Sequence, residues 1–149
     1  MAGFQHSKNS EMFLDDSGGS LRKITAYITG VSGLPGEAEL TDVTAFGDGG
    51  RKFIPGLINA RFTIDFMYNS DVSSSGGFAD MAIGIFDSQR GAVAQVATKS
   101  FEFFPDTTAS GKRKFSGECW IASLPITSTV GDAVSGTAEF QVDGGVTIA

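Results

Sequence analysis

The stretch DVTAFGDGGRKFIPGLINARFTIDFMY, residues 42–68, joins a glycine-rich segment of mixed charge to a segment of regular alternation. In the second part, every other residue is apolar: Ala60, Phe62, Ile64, Phe66 and Tyr68. A period of two with polar residues between predicts a β-strand that has one apolar face and one polar face. The first part is a long polar arm between two strands. Such an arm is either a catalytic loop or a segment that grips a neighbouring subunit.

The same period of two recurs along the chain. AVSGTAEFQV, residues 133–142, alternates in the same way, and KFSGECWIASL, residues 114–124, has a second face that is also apolar, which predicts a strand covered on both sides. Weaker strand patterns occupy residues 21–30, 38–46 and 92–104. The chain is therefore predicted to be mostly β.

One segment has a helical period instead. In FADMAIGIFD, residues 78–87, apolar residues fall at positions i, i+3, i+4 and i+7, and the preceding serines of SSSGG are suitable helix caps. About six strands, glycine-marked turns and one short α-helix predict an all-β fold, either a β-sandwich or a partly closed barrel, with the helix packed against it.

Length and apolar patterning limit the class of protein. A chain of 149 residues is expected to form a single domain. No apolar run approaches the roughly 20 residues that span a bilayer, and the N-terminus lacks the order of a secretory signal, so we expect a soluble chain with no membrane partner. Cys119, the one cysteine, lies in an apolar run and is predicted to be a small buried side chain, although a reactive thiol is the alternative.

The charge balance disfavours nucleic-acid binding. Seventeen acidic and eleven basic residues give a formal charge of -6, the opposite of the basic surface that neutralises phosphates. The one basic run, Lys112, Arg113 and Lys114, follows Gly111 at a predicted hairpin tip. It is either solvated loop charge or a contact to an acidic patch on a partner.

Sequence patterns that would indicate a catalytic site or a cofactor site are weak throughout the chain. The single histidine, His6, lies in a polar N-terminal segment, so the core has no histidine for a triad or a zinc site. Asp15 with Asp16, and Glu37 with Glu39, are acidic near-neighbours of the kind usually found solvated. GDGG at 47–50 lacks the spacing of a phosphate-binding loop and the ligands of a calcium loop. We expect no enzyme activity, no cofactor and no metal.

Apolar residues outside the regular strands suggest a subunit interface. The chain has thirteen phenylalanines, more than a two-layer core of this size obviously needs, although a larger core is the alternative. Phe53, Ile54 and Leu57 lie in an arm bounded by glycine and proline, where burial within a monomer is hard to arrange. The N-terminal segment around Phe13 is similarly apolar.

Three ordered segments resemble a known family. They are LRKITAYITGVSGLPG (21–36), DVTAFGDGGRKFIPGLINARFTIDFMYN (42–69) and KFSGECWIASLPITSTVGDAVSGTAEFQVDGGVT (114–147). Together they resemble the tail tube protein, or major tail protein, of long-tailed bacteriophages and related gene transfer agents. The resemblance covers most of the chain and is weakest over residues 70–95, where only a helix is expected.

The resemblance implies a β-sandwich with a flanking helix that forms homohexameric rings. The rings stack into a tube, and the inner sheets of six subunits join as one barrel through which DNA passes without specific binding. The implied partners are further copies of the chain, the tape-measure protein, the tail terminator and the tail-tip proteins. The implied location is the virion tail, after synthesis in the bacterial host cytoplasm. Within the single domain 1–149, the implied parts are an N-terminal arm at 1–19, an inter-subunit arm at 44–57 and the helix at 78–87.

The resemblance also suggests roles for individual residues. In the arm, the apolar contacts to other subunits would be Phe46, Phe53, Ile54 and Leu57, joined by Phe13 in the N-terminal segment. The polar contacts would be Asp48, Arg51 and Lys52. The carboxylates facing the lumen would be Glu118, Glu139 and Asp65, where they would repel phosphates and let DNA slide. The alternative for these carboxylates is a solvent-facing or intersubunit position.

Two other interpretations remain open at the level of sequence. A β-sandwich that binds a ligand, such as a carbohydrate-binding module, is an ordinary use of this architecture, but it usually needs exposed tryptophan or tyrosine, and the chain has one Trp and two Tyr. A tube of a sheathed tail or of a secretion system would have the same fold and different surroundings.

Overall fold

A computed structural model describes residues 6–16, 19–69, 78–91 and 98–149. The predicted serine cap at 73–75 and the first half of the predicted strand 92–104 lie outside these residues, as do residues 1–5 and 17–18 of the predicted N-terminal arm. No helix in the described ranges is long and apolar enough to cross a membrane.

Ten strands and one α-helix make up the described structure. The strands are β1 (Glu11–Asp15), β2 (Leu21–Lys23), β3 (Ile28–Ser32), β4 (Ala38–Asp42), β5 (Phe53–Ile58), β6 (Arg61–Met67), β7 (Lys99–Phe104), β8 (Phe115–Ser123), β9 (Ile126–Thr127) and β10 (Ser135–Ile148). The helix α1 spans Phe78–Arg90, and short 3-10 turns occupy Ser7–Asn9 and Thr25–Tyr27.

Eight of the strands form one antiparallel sheet. Its order is β2-β1-β7-β8-β10-β6-β3, with the short β9 paired to β10, and β4 and β5 form a separate two-stranded hairpin. The edge strands β2 and β3 are consecutive in the chain and are separated only by residues 24–27. The sheet must therefore curl until its two edges come close together, which confirms a mostly β fold with the form of a partly closed barrel.

The core lies inside this curled sheet. Phe62 of β6 stacks on Phe140 of the neighbouring β10, with ring centroids 4.6 Å apart and an interplanar angle of 2°. Phe62 also contacts Phe101 of β7, at 4.6 Å, although two strands separate β6 from β7 in the sheet. This contact crosses the interior, so the alternating apolar faces of both halves of the sheet bury one another.

Helix α1 covers the same core. Its buried residues include Phe78, Met81, Ala82 and Ile85, the apolar positions that predicted the helix. The Phe78 ring meets that of Phe66 edge to face at 5.0 Å. The helix is confirmed, and it continues three residues beyond the predicted end at 87.

Two predicted strands are interrupted. The segment 21–30 forms β2, a 3-10 turn and the start of β3, because the chain crosses there from one edge of the sheet to the other. Ile24 is fully buried at this crossing, and its N–H donates to the Met12 carbonyl over 2.9 Å. The segment 38–46 is a strand only as far as Asp42.

The N-terminal segment is part of the sheet where it is described. Residues 11–15 of the predicted arm form β1, which pairs with both β2 and β7. Met12 and Leu14 are fully buried in the core. Between residues 11 and 15 the chain is therefore part of the barrel.

Candidate assembly surfaces

The hairpin formed by β4, β5 and their connection, residues 38–58, is here called the arm. It contains the predicted arm 44–57. Every residue of β4 and β5 is exposed, so the arm leaves the body of the protein without packing on it. Seven large apolar side chains are exposed on the arm: Leu40, Val43, Phe46, Phe53, Ile54, Leu57 and Ile58. Exposed apolar surface on this scale is typical of an interaction site.

A tight turn sets where the arm begins. Gly33 and Gly36 both have positive φ, +100° and +114°, and the start of β6 lies directly against them. A Cβ on Gly33 would stand 2.5 Å from the Arg61 carbonyl oxygen, and one on Gly36 would stand 2.7 Å from the Ala60 Cβ. Glycine is therefore required where the chain turns out of the barrel.

The connection at the tip of the arm has its own polar network. Arg51 forms an ion pair with Asp42 at 2.5 Å, and Lys52 forms one with Asp48 at 2.9 Å. The Asp48 carboxylate also accepts from the Ala45 N–H over 2.8 Å. The polar residues predicted as intersubunit contacts, Asp48, Arg51 and Lys52, thus have partners within their own loop.

Hydrogen bonds to this network lower two pKa values. The pKa of Asp42 lies below its ordinary value because Thr44 donates to the carboxylate, with a further contribution from Arg51. The pKa of Asp48 is lowered by the Ala45 N–H and by Lys52. Both carboxylates are therefore charged at neutral pH and hold the shape of the tip.

The four predicted apolar contacts of the arm are all exposed. Phe46 stands at the tip with its side chain fully in solvent, and Leu57 is 84% exposed. Phe53 and Ile54 are half exposed. The predicted fifth residue, Phe13, lies elsewhere: it is partly buried on β1 and meets Phe104 edge to face at 5.7 Å.

The face of the sheet that points away from the core is here called the outer face. Asp65 of β6, Glu118 of β8 and Glu139 of β10 all lie on it, because each alternates with buried neighbours, and all three are exposed. Their strands are adjacent in the order β8-β10-β6. The topology thus brings the three predicted lumen carboxylates, distant in sequence, onto one surface.

Hydrogen bonds hold two of these carboxylates to the sheet. The Thr137 hydroxyl donates to Asp65 over 2.9 Å, and the Ser100 hydroxyl donates to Glu118 over 2.5 Å. Each bond joins two neighbouring strands, β10 to β6 and β7 to β8. The carboxylates of Asp65 and Glu118 are therefore positioned by the sheet.

Sequence reasoning missed further acidic residues on the outer face. By the same alternation, four more carboxylates of the described strands lie there: Glu11, Asp15, Glu102 and Asp143. Asp143 lies directly opposite Glu118 in the pairing of β10 with β8. The alternation of apolar and polar residues in each strand already indicates which carboxylates point away from the core.

Basic residues are fewer on the outer face. Among the described strands of the large sheet, Lys23 and Arg61 lie there, since they stand opposite Phe13 and Gln141 in the strand pairing. Lys23 pairs with Glu11 at 2.6 Å, and its hydrogen bond is the main reason that the pKa of Glu11 is lowered. The outer face is therefore predominantly acidic.

In the described residues, the side chains that could catalyse a reaction or bind a metal are scattered or buried. Within the described ranges, no group of three His, Cys, Asp or Glu residues could hold a metal ion. Cys119 is buried, as predicted, and burial raises the pKa of its thiol, which donates to the Lys99 carbonyl over 3.3 Å. His6 lines a surface cavity of about 460 Å³ beside Glu11 and Val31.

The aromatic residues that a carbohydrate-binding platform would use are not grouped. Trp120 is partly buried on β8, Tyr27 is partly buried against the core, and Tyr68 is exposed at the end of β6. They lie on three separate elements of the fold.

Solved structures match this fold over nearly the whole chain. A chain from the tail of an empty gene transfer agent particle, which has C6 symmetry, aligns with a TM-score of 0.72 at 18% identity, covering 98% of this chain and 99% of the other. A chain from the virion of a native gene transfer agent particle aligns with a TM-score of 0.70 at 16% identity, with the same coverage of both chains. The SPP1 tail tube aligns with a TM-score of 0.69 at 18% identity, covering 97% of this chain and 78% of that one.

This is a tail tube fold. The fold implied by the family resemblance is therefore confirmed, including the flanking helix. No family model matches the chain, and no curated protein matches it. At 16–18% identity, most individual side chains differ between these chains although the fold is shared.

Proposed function

We propose that the chain is a structural subunit of a viral or virus-like tail tube, which assembles as stacked hexameric rings around a conduit for DNA. The observation that carries the proposal is the end-to-end match to a tail chain of a particle with C6 symmetry, which leaves 2% of this chain and 1% of that chain unaligned. Its place would be the virion tail. By the same analogy its partners are the tape-measure protein, the tail terminator and the tail-tip proteins.

The arm is proposed as a contact between subunits. Its seven exposed apolar side chains would be buried on assembly, and removing their exposed area from water favours association through the hydrophobic effect. The ion pairs at the tip support this role indirectly, because they hold the loop in one conformation before binding. A contact that is ordered beforehand loses less conformational entropy when it binds.

The acidic outer face is proposed as the lining of the conduit. Asp65, Glu118 and Glu139 would face the lumen, and sixfold repetition would surround the DNA with negative charge. Carboxylates repel phosphates over roughly 8 Å at physiological ionic strength, so the duplex would pass without specific binding.

Negative-stain electron microscopy of the concentrated protein tests the proposal. We expect rings or tubes with a central hole and sixfold class averages. A protein that stays a monodisperse monomer at high concentration, also when supplied with tail-tip proteins as an initiator, would contradict the proposed function.

Variants of the arm make the test specific. Phe53→Ser with Ile54→Ser should leave a folded monomer that forms no tubes, because both side chains are exposed in the monomer and contribute nothing to its core. Ile83→Ser is the matched control, since Ile83 is an exposed apolar residue on α1, outside the arm. Long tubes from the double variant would contradict the role of the arm.

A further inference from the structure

The arm is joined to the barrel at one place. Its first connection turns at Gly33 and Gly36, which lie against the Arg61 carbonyl oxygen and the Ala60 Cβ. Its second connection consists of Asn59 and Ala60, the two residues between β5 and β6. Among the described strands, β4 and β5 pair only with each other, and both are exposed at every position. The direction of the arm is therefore set by the contacts at its base.

One side chain of the barrel bonds to three successive residues at this base. Gln141 lies on the outer face of β10, where it stands opposite Arg61 in the strand pairing. Its amide oxygen accepts from the Arg61 Nε–H over 2.7 Å. Its amide nitrogen donates to the Asn59 side-chain oxygen over 2.8 Å and to the Ala60 carbonyl over 3.1 Å. Asn59, Ala60, Arg61 and Gln141 are here called the base network.

Arg61 determines which way the Gln141 amide points. Exchanging the amide oxygen and nitrogen would place the nitrogen against the Arg61 Nε–H, which is also a donor. The bond from the guanidinium is charge-assisted and therefore stronger than a bond between neutral groups. With its oxygen held by Arg61, the amide directs its nitrogen towards the base of the arm.

Within the base network, Asn59 is the hinge residue. Ala60 is fully buried, and its carbonyl also accepts from the Val142 N–H over 3.0 Å, so Ala60 stays in the sheet without Gln141. Asn59 is exposed, and its side chain is held to the barrel by the bond to Gln141. The next residue towards the arm, Ile58, already belongs to β5. Loss of the bond would widen the range of angles through which the arm can turn.

A small rotation at the base produces a large displacement of the arm. The six residues of β5 span about 20 Å, so a rotation of about 10° moves the far end of this strand by about 3 Å. Packed side-chain atoms are separated by roughly 3.5–4 Å, so a displacement of this size would disrupt the fit of the arm to a binding surface. We infer that Gln141 is a positioning residue, which sets the direction of the arm in the free subunit through its bond to Asn59. Its effect on assembly, in contrast, rests on the proposed function.

Distances between two spin labels test the direction of the arm. The labels are attached through Gly50→Cys in the arm and Gly84→Cys on α1, where an added side chain meets nothing within 4 Å, and the buried Cys119 should stay unlabelled. Double electron–electron resonance at low protein concentration then gives the distribution of distances between the arm and the barrel. We expect a narrow distribution with the base network intact, and one that is broader by about 3 Å after Gln141→Ala or Asn59→Ala.

Matched variants show whether the bond itself is responsible. At neutral pH, Gln141→Glu keeps the acceptor for Arg61 but cannot donate to Asn59, so it should broaden the distribution as Gln141→Ala does. Combining Asn59→Ala with Gln141→Ala should broaden it no further than either change alone, because both remove the same bond. Thr137→Ala is the control, since the Thr137 hydroxyl also bonds across the outer face of β10 but to Asp65, and it should leave the distribution unchanged.

Three results would overturn the inference. They are an unchanged distribution after Gln141→Ala or Gln141→Glu, equal broadening after Thr137→Ala, and additive broadening in the combined variant.

Tube formation separates this role of Gln141 from the proposed function. If the arm is a contact between subunits, the concentration at which tubes form should rise by the factor by which Gln141→Ala lowers the population of the binding direction. Equal concentrations for the two proteins, despite a broader distribution, would overturn the effect on assembly. An unmodified protein that forms neither rings nor tubes would contradict the proposed function, whereas the distances in the free subunit would still confirm or overturn the role of Gln141.

Discussion

Gln89 provides the sharpest test of how the helix is held to the barrel. This side chain reaches from the last turn of α1 to the backbone of β8 and is only 6% exposed. Its amide oxygen accepts from the Ile121 N–H over 2.8 Å, and its amide nitrogen donates to the Cys119 carbonyl over 3.3 Å. One amide therefore satisfies two buried backbone groups of one strand.

Replacing Gln89 with leucine keeps the approximate volume and removes both hydrogen bonds. A buried polar group left without a partner costs about 1–3 kcal/mol, so the two groups together predict a loss of about 2–6 kcal/mol in the free energy of unfolding. For a domain of this size the melting temperature should fall by about 4–24 °C. Thermal and urea unfolding followed by circular dichroism would measure the change.

Gln89→Glu provides a second measurement with a defined sign. The carboxylate can accept from Ile121 but cannot donate to Cys119, whereas the protonated acid can do both. Burial raises the folded-state pKa of such an acid above its unfolded value. Stability should therefore be fully present at a pH below the unfolded value and be lost as the pH rises through the folded pKa.

The control is Gln141→Ala on the partly buried outer face, where water can replace the lost hydrogen bonds. It should cost less than about 1 kcal/mol, as is usual near a surface. If Gln89→Leu costs no more than Gln141→Ala, or if Gln89→Glu has the pH dependence of the unmodified protein, the amide does not hold the helix to β8.

Three further predictions follow from individual sites. Gly33→Ala should destabilise the protein by about 1–3 kcal/mol, because residue 33 has a positive φ and a Cβ there would meet the backbone of Arg61. The control, Gly84→Ala, lies on an open helix surface and should stabilise the protein by up to about 1 kcal/mol. Equal melting temperatures for the two variants would contradict the reasoning. The lowered pKa values of Asp42 and Asp48 mean that the tip network is complete above the unfolded value of about 3.9 and is lost as the pH falls through the lower folded values. The protection factors of the tip amides, which correct for the intrinsic pH dependence of exchange, should therefore be unchanged from pH 7 to about 5. A fall in protection within that range would be inconsistent with this network. Cys119, buried and with a raised pKa, should react with a thiol reagent only at the rate of unfolding, and rapid labelling of the folded protein would contradict its burial.

The strands and the helix were predictable where one face is buried. Phe62, Ile64 and Phe66 alternate with polar residues because their side chains are buried, and the apolar residues of α1 fall at helical spacing for the same reason. The crossing at residues 24–27 was not predictable, because it depends on the curl of the whole sheet, which brings together two edges that are consecutive in the chain but stand at opposite ends of the strand order.

The candidate surfaces were predictable from the sequence only in part. Exposed apolar residues in the arm stand out because glycine and proline surround them. The grouping of Asp65, Glu118 and Glu139 depends on strand order, which a single sequence does not contain. Asp48 and Lys52 are four residues apart, so the sequence shows that two opposite charges lie close along the chain. That they form an ion pair and order the tip can be seen only from the loop geometry.

The complete exposure of the arm separates two kinds of residue in this chain. No strand residue of the arm is needed to fill the barrel, and no core residue reaches into the arm. Selection can therefore change the arm together with whatever surface receives it, at little cost to folding. If the arm is the contact proposed above, two chains with the same barrel and different arms would each bind only copies of themselves, so the hairpin alone would be enough to set which subunits assemble together.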